Sequence, residues 1–320
     1  MVQFSSQGCY LIVVVVISIL LGLNDVQTGQ LGQGINAVWS GFAFFLGWRI
    51  LQPVPSAHVL PDGKTLSSQA FAQVWQTCKK INNEYGRSLR WFLLAVVFAE
   101  AAANAFTVVS VVFLADHLRM TGTEIGVFFV VTLVGTIPGS ALGSMVTLRT
   151  NPPCSWILSM TFIMLVATIG ALILNEGLEM IAYVWGFVVG NGLGWFYPTQ
   201  NLCFSMLLPR GQEAELSGFY VYCTQILGWL PPLIFSIMVE SNIDQKFGIL
   251  AVQSFFGVAI VFLSMIQWQG ALEQVHGPEF AELAKRADKC TSLKGEDPHV
   301  DASDFPSPNG GKEIDVGQVP

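Results

Sequence analysis

The sequence predicts an all-α, polytopic membrane protein with about eight transmembrane helices. Two observations predict it. Hydrophobic residues make up 52% of the chain and charged residues only 12%, about half the charged share of soluble domains. The apolar residues also fall into blocks approaching or exceeding the roughly 20 helical residues that cross a bilayer. Eight such blocks lie at about 9–24, 36–52, 91–114, 125–148, 154–174, 180–207, 216–239 and 247–268.

The first block, around Cys9 to Leu23, has the length of a signal-peptide core. No Lys or Arg precedes it and no clean small-x-small cleavage site follows, so it reads as a spanning helix. The second block ends at Leu51 and Gln52, and Pro53, Pro55, Pro61 and Gly63 break the chain beyond it. Within the 53–90 loop, Phe71, Val74, Trp75, Cys78, Ile81 and Tyr85 recur at three- and four-residue spacing. That spacing makes one apolar helical face, expected to lie on the cytosolic leaflet, with Lys79 and Lys80 off it. A connector between two bundles is the plainer reading of this segment, and a regulatory element the alternative.

The third block carries Glu100 and Asn104 four residues apart on one helical face, among alanines that let neighbouring backbones approach. A carboxyl at mid-membrane costs a few kcal/mol. Two readings stay open: a site for a proton or a substrate amine, or a packing carboxyl satisfied by a neighbouring helix. In the fourth block Gly135, Gly139 and Gly143 repeat every fourth residue, Pro138 bends the stripe, and Arg149 follows. Close packing is the expected role of these glycines, on a surface along which two helices can also rock. The fifth block has few polar positions and reads as lipid-facing or peripheral.

The sixth block holds the most informative stretch, Gly190-Asn-Gly-Leu-Gly-Trp-Phe-Tyr-Pro-Thr-Gln-Asn201. Lipid offers no partner to an amide or a freed carbonyl, so this helix is expected to face protein or a watery cavity. The substrate pathway is accordingly placed at Glu100, Asn104, Asn191, Tyr197, Gln200, Asn201, Tyr220 and Gln225. Gly190, Gly192, Gly194 and Pro198 are placed as a helix hinge. The seventh block carries Tyr220, Tyr222, Gln225, Trp229 and the pair Pro231-Pro232. It is preceded by Arg210, Glu213 and Glu215, acidic charge suited to a helix start. A capped turn is the plainer reading of that lead-in. The sharper one is a cytosolic gate formed by Arg149, Arg210, Glu213 and Glu215. Residues 269–320 turn polar and rich in Gly, Pro, Asp and Ser, and a disordered cytosolic tail is expected there.

Lys and Arg gather in the 53–90 loop, at Arg149 and Arg210, and in the tail, against Arg119 and Lys246 on the other side. Both termini are therefore expected in the cytosol. The six cysteines have no disulfide or metal spacing, and no acyl-transfer, zinc or phosphate-loop motif can be assembled. No enzymatic activity, cofactor, bound metal or nucleic-acid partner is expected. The implied partners are the lipid bilayer, a small polar solute and protons.

The runs Gly194-Trp-Phe-Tyr-Pro-Thr-Gln-Asn201, Phe204-Ser-Met-Leu-Leu-Pro209 and Gly211-Gln-Glu-Ala-Glu215-Leu-Ser-Gly-Phe-Tyr220 bring a family into view. With Ile226-Leu-Gly-Trp229-Leu-Pro-Pro-Leu-Ile-Phe235 and Leu89-Arg-Trp-Phe-Leu-Leu94, they resemble the autophagy-related vacuolar effluxer-like branch of the major facilitator superfamily. The resemblance runs from about 36 to 268 and is sharpest over 194–235. It implies two six-helix bundles, alternating access, a long central cytosolic loop and cytosolic termini. Its fungal members are linked to amino-acid release from the vacuole after autophagic breakdown. Gly139, Gly143 and Arg149 resemble the superfamily's second loop motif, without its usual acidic residue.

On that template the chain divides into the last two helices of an N-terminal bundle (1–52), the central loop with its amphipathic helix (53–90), a C-terminal six-helix bundle (91–268) and the tail (269–320). Four helices of the first bundle have no counterpart, and a truncated reading frame is the expected reason. The function expected is secondary-active or facilitative efflux of amino acids or similar solutes from a vacuole-like compartment. The alternative, motivated by the incomplete first bundle, is a non-transporting membrane scaffold.

Overall fold

Two apolar clusters, stacked end to end along a bundle of helices, hold the molecule together. A computed structural model describes residues 2–22, 24–50, 76, 77, 79, 81, 86–209, 213–266, 268 and 270. Among these residues there is no strand. The helices are α1 (Val2–Leu21), α2 (Asp25–Ile50), α3 (Gly86–Asp116), α4 (Gly122–Arg149), α5 (Pro152–Ile173), α6 (Glu179–Met206), α7 (Glu213–Ile226), α8 (Leu230–Glu240) and α9 (Gln245–Ser264). The expected tail apart from Gly270, Arg210, and Phe71, Val74, Trp75, Cys78 and Tyr85 of the amphipathic stretch lie outside the described residues.

Helix occurs in all eight apolar blocks, and among the described residues length and apolarity suffice for crossing in five stretches: Ser88–Asp116, Gly122–Arg149, Pro152–Ile173, Glu215–Glu240 and Gln245–Ser264. The remainder fall short for different reasons. Among the described side chains of α1 the apolar stretch is Ile12–Leu21. The first half of α2 is polar, with Asp25, Gln27, Gln30, Gln33 and Asn36, and α6 is loaded with glycine and amides.

Residue pairings fix the directions of the helices. Gly135, Gly139 and Gly143 of α4 lie against Phe187, Asn191 and Trp195 of α6, a constant offset, so these two helices run parallel. Between them in sequence, α5 runs antiparallel to both: Thr147 Oγ1 meets Ser155 Oγ at 2.8 Å, and Trp185 and Trp195 reach back to Val166 and Ser155. Trp91 stacks on Phe262 and Phe98 tilts against Phe255, so α3 and α9 are antiparallel. Alternating direction is what successive crossings of a membrane require.

The lower cluster packs Phe92, Trp156, Met160, Phe196, Phe204 and Phe256 against the alanines of α3. The upper one packs Phe106, Phe113, Phe128, Trp185, Phe235 and Val252. Large apolar side chains such as Ile137, Leu142, Met145, Leu172, Val184 and Val261 stand exposed on the outside. In water that would be an association hazard; acyl chains solvate it. The fifth block is therefore only partly peripheral. One face of α5 buries Trp156, Met160 and Ile163 in the core, because steps of four and three residues put them on one side of the helix.

The seventh block is broken. Residues 227–229 form a turn between α7 and α8. Pro231 and Pro232 have no N–H to give the carbonyls of Leu227 and Gly228, so the ladder stops and restarts with proline in its first turn. At the upper end the connections are tied together. Arg119 Nε contacts Glu176 Oε1 at 3.2 Å and Lys246 Nζ donates to Asn175 Oδ1 at 3.2 Å. A Thr121–Glu124 capping box starts α4 and Asp244 caps α9.

At the lower end Thr77 and Ile81 are buried, whereas Gln76 and Lys79 are exposed. Ile81 belongs to the lower cluster, and Thr77 Oγ1 donates to Glu215 Oε1 at 2.7 Å. This part of the amphipathic stretch thus rests on the helix bundle itself. The i, i+4 spacing of residues 77 and 81 supplies the buried face.

Candidate functional site

The boundary between the two clusters falls near the midpoint of α3, and there the packing opens. A cavity of about 720 Å³ is bounded by side chains of α1, α3, α4, α6 and α7, within the range typical of small-molecule sites. Glu100 and Asn104 reach it from α3, Tyr197 and Asn201 from α6, and Tyr220, Thr224 and Gln225 from α7. The i, i+4 spacing of 100 and 104, and of 197 and 201, places each pair on one helical face.

Glu100 is 7% exposed. Its Oε1 accepts a hydrogen bond from Gln200 Nε2 at 2.7 Å, and the same amide donates to the Tyr220 hydroxyl at 2.7 Å. Tyr220 in turn donates to Asn201 Oδ1 at 3.1 Å. One continuous polar chain therefore links α3, α6 and α7 beside the cavity. Aromatic packing fixes its geometry: Tyr220 stacks on Phe204 at 4.1 Å and Tyr197 sets its ring edge-on to Phe196 at 5.1 Å. Gln200 Oε1 is buried without a hydrogen-bond partner among the described residues.

Of the eight pathway residues expected, six line the cavity and Gln200 lies behind its wall, bonded to two of them. Asn191 is elsewhere. Its Nδ2 donates to Phe187 O of its own helix at 2.9 Å and its backbone is pressed against Gly139. The glycines placed as a hinge lie at close helix contacts. A Cβ on Gly190 or Gly194 would land on the carbonyl of Thr132 or Thr136, and one on Gly192 would meet Ile163. Helix α6 is continuous through Pro198.

Three of the four residues of the expected gate fall among the described residues. Arg149 is exposed in the last turn of α4, Glu213 is exposed at the start of α7, and Glu215 holds Thr77. Arg210 falls outside the described residues.

Tyr10 of α1 and Thr107, Thr132, Thr136 and Thr224 also line the cavity, and the sequence reading passed over them. A threonine in a spanning helix bonds back to its own backbone and resembles a packing residue. The available signal was the i, i+4 spacing of Thr132 and Thr136 beside the glycine stripe. Among the described residues no three His, Cys, Asp or Glu side chains gather as a metal site would require.

An all-helical bundle with lipid-type exterior and a polar cavity at its middle defines a multi-pass membrane protein with room for a solute inside. The family model described as vacuole effluxer Atg22-like matches residues 1–276, and the chain belongs to that family. No curated protein matches it.

Proposed function

We propose that this chain is a carrier of the major facilitator type that moves small polar solutes, amino acids foremost, out of a vacuole-like compartment by alternating access, secondary-active or facilitative. The cavity carries the reading. Spanning helices put polar groups at membrane depth where they border protein or water, and here a carboxyl, amides and phenols from three helices converge on a space of about 720 Å³. Family membership supports efflux from a vacuole. Both termini face the cytosol in this reading, with the Thr77–Glu215 end on the cytosolic side.

In this mechanism Glu100 holds a proton or the substrate ammonium, and the amides of Asn104, Asn201 and Gln225 offer donors and acceptors to the rest. The parallel glycine contact between α4 and α6 is the surface on which those helices shift as the cavity changes side, and the break at 227–229 lets α7 move separately from α8. The test is uptake of labelled amino acids into vesicles reconstituted with the purified chain. Saturable uptake, reduced at least about tenfold by Asn201→Ala together with Tyr220→Phe, is the expected result. Uptake indistinguishable from empty vesicles overturns the reading.

A further inference from the structure

We infer that the cavity selects small cations rich in N–H donors, of the lysine or arginine type, over neutral and anionic solutes. The inference rests on the carrier reading above and assigns its substrate class. It comes from where the hydroxyl protons go. Thr107 Oγ1 donates to Ala103 O at 3.1 Å, Thr132 to Phe128 O at 2.9 Å, Thr136 to Leu133 O at 2.7 Å and Thr224 to Val221 O at 2.7 Å. The Tyr10 hydroxyl, at the same cavity, donates to Gly32 O at 2.7 Å.

A hydroxyl has one proton and two lone pairs. With each proton committed to a backbone carbonyl, these five hydroxyls of the lining residues keep only acceptor capacity. The Glu100 carboxyl adds further acceptor capacity, and among the described residues no Lys, Arg or His lines the cavity. N–H donors come from the side-chain amides of Asn104, Asn201 and Gln225.

An anion placed here would meet Glu100 without a compensating cation, and burying unpaired charge is costly. A neutral zwitterion can give its ammonium to Glu100 and its carboxylate to the amides of Asn104, Asn201 and Gln225, but it brings few further N–H donors for the hydroxyl oxygens. Arginine and lysine carry the same α-carboxylate but add a guanidinium or a second ammonium, whose N–H groups the hydroxyl oxygens can accept. Charge-assisted bonds of this kind are the stronger ones.

Equilibrium binding of labelled arginine, lysine, leucine and glutamate to the full chain in detergent, followed by uptake of the same four into reconstituted vesicles, tests this. Arginine and lysine are expected to bind at least about tenfold more tightly than leucine and glutamate, and Glu100→Gln to abolish that preference. Should Glu100→Gln not fold, Thr132→Val and Thr136→Val decide. Each removes an acceptor of nearly unchanged shape and is expected to weaken arginine several-fold while leaving leucine unchanged.

Equal or tighter binding of leucine or glutamate overturns the inference, as does a preference that survives these substitutions. If leucine or glutamate then crosses the vesicle membrane, the carrier reading stands without it. Arginine that binds with the expected preference but does not cross supports the inference and overturns the carrier reading. Absence of binding by all four solutes overturns the inference.

Discussion

Gln200 donates its side-chain N–H to Glu100 Oε1 at 2.7 Å across 100 positions of sequence. The bond joins α6 to α3 at the level where the two apolar clusters meet, and it leaves the second hydrogen of the same amide for Tyr220. A double-mutant cycle measures its worth. Gln200→Leu strips a buried carboxyl of its partner and is expected to destabilise the chain by about 1–3 kcal/mol. In the cycle with Glu100→Leu, a coupling near 1 kcal/mol is expected, the scale of interhelical hydrogen bonds in membranes. Thermal unfolding in detergent checks both, and a coupling of zero removes the bond from the account of this site.

The α4–α6 contact makes a sharper steric prediction. Gly190→Ala drives a methyl into the Thr132 carbonyl and Gly139→Ala drives one into that of Asn191. Each is expected to cost about 1–3 kcal/mol, the usual range for overpacking. Gly218 in α7 has nothing within 4 Å of its would-be Cβ. Gly218→Ala is therefore expected to be neutral or to stabilise by about 0.5–1 kcal/mol through the better helix propensity of alanine. Gly218→Ala must melt above both Gly190→Ala and Gly139→Ala.

The hydrogen bond from Thr77 to Glu215 spans 138 positions and ties the segment ahead of α3 to the first turn of α7. Thr77→Val is expected to lower stability by about 0.5–1.5 kcal/mol. In a chain with its natural cysteines replaced, Thr77→Cys with Glu215→Cys is expected to join through a short thiol crosslinker. Either single substitution gives no crosslink. Peptide mapping of the product reads the result.

Cysteine labelling tests the orientation of the bundle. Cys154 is exposed at the start of α5, and Cys203 and Cys223 are buried. With Cys9, Cys78 and Cys290 replaced by serine, a maleimide is expected to label one site in the folded chain and all three after denaturation. An impermeant maleimide is expected to reach Cys154 from the cytosolic face of sealed organelles. Labelling from the lumenal face alone reverses the proposed topology.

Glu100 and Asn104 were legible as a pair because a carboxyl and an amide four residues apart in an apolar helix have one shared face and no lipid-side partner. Tyr197 and Asn201 were legible for the same reason. Asn191 shows where that logic stops. It lies on the same helix, but i±4 spacing groups it with Phe187 and Trp195, the face pressed on α4. Periodicity assigns residues to faces and leaves open which neighbour each face meets. Thr132 and Thr136 were hidden for the opposite reason, since a hydroxyl satisfied by its own helix leaves no deficit for sequence reasoning to detect.

The sequence by itself determined the solvent and the secondary structure. Runs of apolar residues with few charges have no stable home except acyl chains, and there the backbone must close its hydrogen bonds within helices. Tertiary structure decided what those helices do with their polar faces. It put α4 parallel to α6, broke the span at 227–229, set Thr77 on Glu215 and brought Tyr10 to the cavity shared by Glu100 and Tyr220. These are contacts between distant residues, selected by side-chain shape where backbones meet, and no local pattern encodes them.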